Sequence, residues 1–504
     1  MKRNEFNRIS PEEAGIKSRD ILCYIQELEK SGTEMHGIQI MRKDSICAEA
    51  WWAPYAPGIR HGLQSLTKTY TATAVGIAYT QGLLNLNDLI IDIFPDETPA
   101  SPGENLKKLR IRDVLCMGCG MDEMPPPSKN WIRDFLATPV KKIPGTAFMY
   151  NSTGSSLLGA IVCRKAKTTL HEFLKTNLFD KIGINADNFR WLYMPDGIEI
   201  GGGGGFATTE DNLRLMKLYA QNGVWEGERI IAEDYIKLAT TKQNDSSSEE
   251  KVNPPAKDNF LGYGFQIWMC KPEGTYRADG AMGQFAIVCP AKELIISINE
   301  TASNALWAQT TLDITWDFIA GIDSPAAKPL PPDSEETASL MKYLSSRALP
   351  RPVYGCCSHL KNTINGRSYV IKDGNFNFHR EMRTMTGSTA GKTISALSFN
   401  FDETGCEMTY RNTDEVKKLQ IATDGSRLLN TVGSIKEPMP HVYCSGAWKD
   451  DYTFVVRFRW IESCFEKESV FSFEDGGKLS ILTKTVTGFV FGSGDETQAL
   501  AIQE

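Results

Sequence analysis

Residues 65–82 read Ser-Leu-Thr-Lys-Thr-Tyr-Thr-Ala-Thr-Ala-Val-Gly-Ile-Ala-Tyr-Thr-Gln-Gly, and the rest of the chain is best understood outward from them. Ser65 to Gln81 predict one long helix. Small and apolar residues lie on every side of it, the pattern of a helix buried in the middle of a domain. Gly82 suits the left-handed C′ position that ends such a helix. Ser65 and Lys68 are three apart, so they share a helix face one turn apart. A serine at a helix N-terminus meets unpaired N–H groups and the positive end of the dipole, and both favour a developing anion. A lysine one turn on can take the serine proton once burial or neighbouring cations lower its pKa. The plain alternative is an N-cap serine beside a surface lysine.

Ser-x-x-Lys occurs four times, at Ser65, Ser248, Ser339 and Ser358. Ser248 falls in Gln243 to Asn259, which reads as a surface loop. Ser339 falls in a short helix expected over Ser334 to Ser345, and Ser358 opens the strand-rich half. Only Ser65 opens a buried helix. Two further segments add to it. Pro144 to Ser152 is a loop that runs into a helix expected over Ser155 to Ala166. Tyr150 on that loop can aim its hydroxyl into a cleft, and a phenol beside a lysine ammonium can titrate low enough to act as a base. Ala278-Asp279-Gly280-Ala281 leads into a strand at Phe285 to Cys289, and a small-residue strand can offer its backbone N–H groups to an oxyanion. Taken alone, each of these reads first as packing: a tyrosine beneath its turn and an ordinary Gly-containing strand entry.

With 504 residues, more than one compact core is expected. The first 322 residues mix helix and strand signals: a helix at Ser18 to Lys30, hairpins at Gly37–Met41/Ile46–Ala50 and Phe285–Cys289/Leu294–Asn299, and a closing helix at Asn304 to Ala320. Residues 323–350 read as a Pro-rich linker and the short helix. Four prolines in the eleven residues from Asp323 to Asp333 remove donors and fix φ. Residues 351–504 alternate apolar and polar side chains in short runs, such as Thr453 to Trp460, as an antiparallel barrel or sandwich does.

A net charge of −7 without a dense basic segment argues against nucleic acid. Met1 to Gly15 is polar, and the longest apolar runs, such as Leu294 to Ile298, are far too short to span a bilayer. The expectation is a cytoplasmic chain with reduced thiols among its 12 cysteines. Cys116 and Cys119 form a lone CxxC with no second pair, and no metal or cofactor is expected. None of the 6 histidines accompanies a nucleophile elbow. The Gly201 to Gly205 run lacks the strand and helix setting of a dinucleotide loop.

Ser65-x-x-Lys68, Tyr150-Asn151-Ser152 and Ala278-Asp279-Gly280, in this order, resemble the three motifs of the serine β-lactamase and penicillin-binding protein family, nearest its class C branch. Ile111 to Gly120, Gly203 to Asp211 and Tyr263-Gly264-Phe265 are similar to other segments of that family, and the likeness spans about residues 8 to 320. The resemblance implies an α/β (α+β) transpeptidase-like domain, an antiparallel sheet flanked by helices. It also implies an acylated Ser65, proton transfer by Lys68 and Tyr150, and an oxyanion hole from the backbone N–H groups of Ser65 and Ala281. Two positions depart from the family pattern. The substrate-orienting amide is replaced by Ser152 or shifted to Asn151, and the cation of the third motif is Ala278. Without that cation, an amide, ester or small peptide is expected rather than a β-lactam. The last 150 residues resemble the lipocalin-like barrels of some D-aminopeptidase relatives.

The leading expectation is therefore a serine hydrolase acting on a small molecule or peptide, with a homodimer left open. A non-catalytic penicillin-binding-like module that holds a peptide or cell-wall fragment is the alternative. A β-barrel ligand carrier with a helper domain is a third.

Overall fold

The computed structural model describes residues 5–248, 256–302, 308–323, 328–351, 358–379, 393–403, 405–412, 415–487 and 496–504. Its contacts divide the chain into two compact units, one running to Ala348 and one beginning at Leu349. Lys251, part of the predicted loop at Gln243 to Asn259, the start of the predicted helix at Asn304, and Cys356-Cys357 lie outside the described residues.

The first unit is built on a six-stranded antiparallel sheet. Its spatial order is Ser45–Trp51, Glu34–Arg42, Leu294–Thr301, Gln284–Cys289, Tyr276–Gly280 and Trp268–Met269. Strands from both ends of the unit thus pair at its centre, with Ile38 opposite Ile298 and Ile40 opposite Ile296. The helices Ser18–Lys30 and Gln309–Gly321 pack together, with Tyr24 stacked on Phe318 at 4.3 Å and hydrogen-bonded to Thr315. The helix Thr209–Ala220 packs against strands Leu294–Thr301 and Gln284–Cys289. Thr208 and Asp211 cap its first turn reciprocally, which satisfies N–H groups that the helix cannot.

The predicted central helix is split. Gln64–Leu66 form a 3₁₀ turn, and the α-helix proper runs over Thr67–Thr80. Of its 14 residues, 12 are buried, as its lack of a polar face requires. Its threonines are tolerated there because each finds an acceptor or a partner. Thr67 bonds Gln64 O, Thr69 bonds Gln266 O, Thr71 bonds Gly201 O, and Thr73 pairs with the Tyr219 hydroxyl. Gly82 takes φ +71° just past its end.

The segment expected as part of a linker is structurally attached to the first unit. Helix Ser334–Ser345 is tied to it through Thr337, which donates to Glu12 at 2.8 Å, and through Tyr343 and Arg347, which both bond Glu29.

The second unit is a sheet of ten strands that closes on itself, so of the two expected architectures the barrel forms. Among the described residues, strand Val416–Ala422 meets His441–Trp448 through a parallel bridge at Ala422 and Ser445, leaving Leu428–Thr431 outside a ring of nine strands. Phe454, Val456, Phe458 and Trp460 alternate inward as their period-2 spacing dictates. With Phe376, Phe399, Phe471 and Trp448 they belong to one hydrophobic core.

Candidate active site

The candidate residues converge where three backbone segments approach the Gln64–Leu66 turn. One is the strand Tyr276–Gly280. A β-carbon at Gly280 would lie 2.1 Å from Leu63 O and 3.2 Å from Leu66 N, so only glycine lets this strand lie against the turn that carries Ser65. A second is the Gly201 to Gly205 run. A β-carbon at Gly202 would lie 2.1 Å from Ser152 O, and one at Gly205 would lie 3.0 Å from Thr67 Oγ1. The third is the loop Phe148–Asn151, held by Met149 N bonding Met117 O at 2.9 Å.

Four residues around this point have left-handed backbones without being glycine: Gln64 (φ 49°), Met117 (φ 59°), Gln266 (φ 56°) and Met282 (φ 69°). Each costs on the order of 1–3 kcal/mol and persists only because its surroundings dictate it. Gln266 shows how. Its amide donates to Leu115 O at 2.7 Å, its side-chain oxygen accepts from Ser155, and its backbone oxygen accepts from Thr69.

Lys68 Nζ donates to Ser65 Oγ at 2.9 Å and also to Gly202 O. Its side chain is 1% exposed, so the alternative of a surface lysine does not hold. Burial brings its pKa down to about 7, against a smaller opposing pull from the Asp279 carboxylate. An amine in this state is neutral about half the time at neutral pH and can accept the serine proton.

Tyr150 is half-buried, with its hydroxyl bonded to Ser65 and its ring 4.8 Å from the Lys68 ammonium. The ring stacks on Trp268 at 5.6 Å and meets Tyr263 edge-on. Burial pushes the phenol pKa up, and the Ser65 hydrogen bond only partly offsets this. Tyr150 therefore stays protonated, which corrects the expectation that it titrates low enough to serve as a base. Lys68, unlike Tyr150, is shifted towards its neutral form at ordinary pH.

Two substrate-binding expectations are corrected as well. Asn151 is fully enclosed. Its Oδ1 caps the helix Ser152–Ala166 by accepting from Gly154 N at 2.8 Å, and its Nδ2 faces Met121 Sδ. A side chain spent on a helix cap cannot orient a substrate. Ala278 has 0% exposure and packs in the hydrophobic core rather than lining the cleft. On the other face of the strand lie Arg277 and Asp279, paired at 2.7 Å, of which only the Asp279 side chain keeps any exposure, at 12%. Ser152 is half-buried at the first position of its helix, Gly280 lies against the Gln64–Leu66 turn, and the buried Ala281 follows it in sequence.

Sequence reading missed three contributors. Gly202 supplies the second acceptor for Lys68, and the five-glycine run was the signal that backbones approach closely there. Gln266 carried no signal. Asp279 lies inside the Ala278–Ala281 stretch, where the small residues and not the carboxylate carried the signal. Of the other Ser-x-x-Lys serines, Ser339 lies within helix Ser334–Ser345 and Ser358 bonds Asp451 O in the second unit.

Among the described residues, no group of three His, Cys, Asp or Glu side chains could hold a metal ion, and no helix is long and apolar enough to cross a membrane. The ten described cysteines are all free thiols. Burial pushes the Cys116 thiol up to about 12.

The chain is 24% identical over 231 residues to 6-aminohexanoate-dimer hydrolase of Paenarthrobacter ureafaciens, a match covering 42% of this chain and 58% of that one. It is 20% identical over 267 residues to a β-lactamase of Yersinia enterocolitica, covering 49% of this chain and 66% of the other. The matches thus span less than two thirds of either relative. Among solved structures, the octameric penicillin-binding protein homologue from Pyrococcus abyssi aligns with 12% identity and a TM-score of 0.47, over 96% of this chain and 99% of that one. The β-lactamase family model matches residues 25–308, more than half of the chain. The chain belongs to the β-lactamase family, a family of serine hydrolases.

Proposed function

We propose that this protein hydrolyses an amide, ester or small peptide through an acyl-enzyme on Ser65. The observation that carries this reading is the enclosed Lys68 amine, 2.9 Å from Ser65 Oγ and with a pKa of about 7. In the first half-reaction Ser65 Oγ bonds to the substrate carbonyl carbon while its proton passes to neutral Lys68. The carbonyl electron pair moves to oxygen, where the N–H groups of Ser65 and Ala281 receive it. Collapse breaks the bond to the amine or alcohol, which leaves with the proton returned from Lys68 through the Tyr150 hydroxyl. A water then repeats the sequence, giving its proton to Lys68 and releasing the acid as Ser65 regains its own.

Linear amides and esters suit the site better than β-lactams, because Ala278 presents no cation to a substrate carboxylate. The name of one relative, 6-aminohexanoate-dimer hydrolase, agrees with a linear amide. A pure binding module has no use for a desolvated amine held on a serine. Intact-mass spectrometry after incubation with a fluorophosphonate tests the reading. One adduct is expected, absent in Ser65→Ala. An adduct that persists in that variant, or none on folded wild type, overturns it. A penicillin in parallel is expected to leave no stable adduct.

A further inference from the structure

Asp279 lies one residue before the glycine that touches the nucleophile turn. Its Oδ2 accepts from Arg277 Nε at 2.7 Å, and the two partners are unequally placed: the Arg277 side chain is 0% exposed, the Asp279 side chain 12%. Arg277 spends its other donors inward, on Met269 O at 3.1 Å and Asn259 Oδ1 at 2.6 Å, and lies 5.8 Å from the Trp268 ring centre. The guanidinium therefore cannot stand in for the missing third-motif cation. The part of the pair that solvent or substrate reaches is the carboxylate.

The local charge count is also lopsided. Arg277 is flanked by two carboxylates, Asp279 and Asp258, and both act on it. Asp258 is 2% exposed, held by Trp316 Nε1 at 2.9 Å, Gln309 Nε2 at 3.0 Å and Lys271 N at 3.2 Å. The field of Asp279 reaches both Lys68 and Tyr150. Lys68 must be neutral when it takes the serine proton. Burial pushes the Asp279 carboxyl pKa up and the Arg277 guanidinium opposes this; with Asp279 ionised and Lys68 neutral, the set of Arg277, Asp279 and Asp258 carries one uncompensated negative charge in an enclosed, weakly screening place. A substrate carboxylate there adds a second. A substrate ammonium cancels the first and, by repelling a proton from Lys68, also favours the reactive form of the base.

We propose that Asp279 sets the charge class of the substrate, so that the site takes amides or esters with an ammonium close to the scissile carbonyl and turns away those with a carboxylate there. This rests on the serine-hydrolase reading above and adds the identity of what it accepts.

Three fluorophosphonates with short arms of equal length test it, one ending in an ammonium, one in a methyl and one in a carboxylate. Second-order rates of Ser65 labelling are read by intact mass at pH 7.5. Wild type is expected to label fastest with the cationic and slowest with the anionic probe, at least about tenfold apart, the factor that some 1.4 kcal/mol supplies. In Asp279→Asn the spread is expected to fall to within about threefold. Should that variant not fold, the wild-type order alone decides. Labelling that is independent of probe charge, or fastest with the carboxylate, overturns the inference and leaves the hydrolase reading standing. So does an unchanged order in folded Asp279→Asn. No label from any probe removes the hydrolase reading itself, and the inference with it.

Discussion

Lys68 concentrates the trade between stability and chemistry in one side chain. Its pKa in the fold, about 7, lies below the 10.5 of an ordinary lysine. Between those values the unfolded chain holds more protons than the folded one, so stability rises with pH across that window. At pH 7 the buried amine costs on the order of 4 kcal/mol. Replacing it by methionine removes that cost but leaves the Gly202 carbonyl unpaired, a loss of roughly 1–3 kcal/mol. Lys68→Met is therefore expected to melt at a higher temperature than wild type in calorimetry at pH 7, while fluorophosphonate labelling falls by about 10²–10⁴. In wild type the labelling rate is expected to rise with pH and reach half its maximum near pH 7. A midpoint above pH 9 would mean that Lys68 is not desolvated, and would remove the assigned base. Serine and lysine three apart suggested the pair. Asn151 and Ala278 did not yield their roles in the same way, since a cap and a core position depend on what packs around them.

At the scale of elements, glycine decides which backbones can meet. Strand Tyr276–Gly280 approaches the Ser65 turn because Gly280 has no side chain, and the second acceptor of Lys68 sits on a loop that crowds Ser152 O. Gly280→Ala places a methyl 2.1 Å from Leu63 O, so the strand must withdraw from the turn. Ser65 labelling is expected to fall by about a hundredfold or more, since a displacement of about 1 Å at a catalytic constellation costs that much. Gly103→Ala, which meets nothing within 4 Å, is the control and should label as wild type. Equal labelling by the two variants would show that this strand does not shape the site. Several elements were legible from periodicity, including Ser18–Lys30 and Ser334–Ser345 to the residue. The 3₁₀ turn at Gln64–Leu66 was not, because the left-handed Gln64 before Ser65 is imposed by neighbours and not by local preference.

For the whole molecule, the two units carry separate cores. The helix Ser334–Ser345 belongs to the first through Glu12, Thr337, Glu29 and Arg347. A chain ending at Ala348 is thus expected to be more stable than one ending at Ile322, by about 1–3 kcal/mol in urea titration, because the shorter one leaves part-buried carboxylates without their partners. Expressed alone, residues 349–504 are expected to show cooperative loss of β circular dichroism and no binding of small apolar ligands. Phe376, Phe399, Phe454 and Phe471 already occupy the interior that a carrier would leave open. Saturable binding of a fatty acid or apolar dye by that unit would restore the carrier reading.

By itself the sequence determined the order of the motifs, the burial of the Thr67–Thr80 helix, the Ser65–Lys68 pair and the alternation of the second half. These follow from spacing along the chain, which local periodicity records. Only the tertiary structure decided that burial raises the Tyr150 pKa, that Asn151 caps a helix, that Ala278 is core and that Asp279 is the less buried partner of Arg277. It also decided that the strands of the second half close into a barrel. Those outcomes depend on desolvation and on contacts between residues far apart in sequence, and no spacing within a segment encodes them.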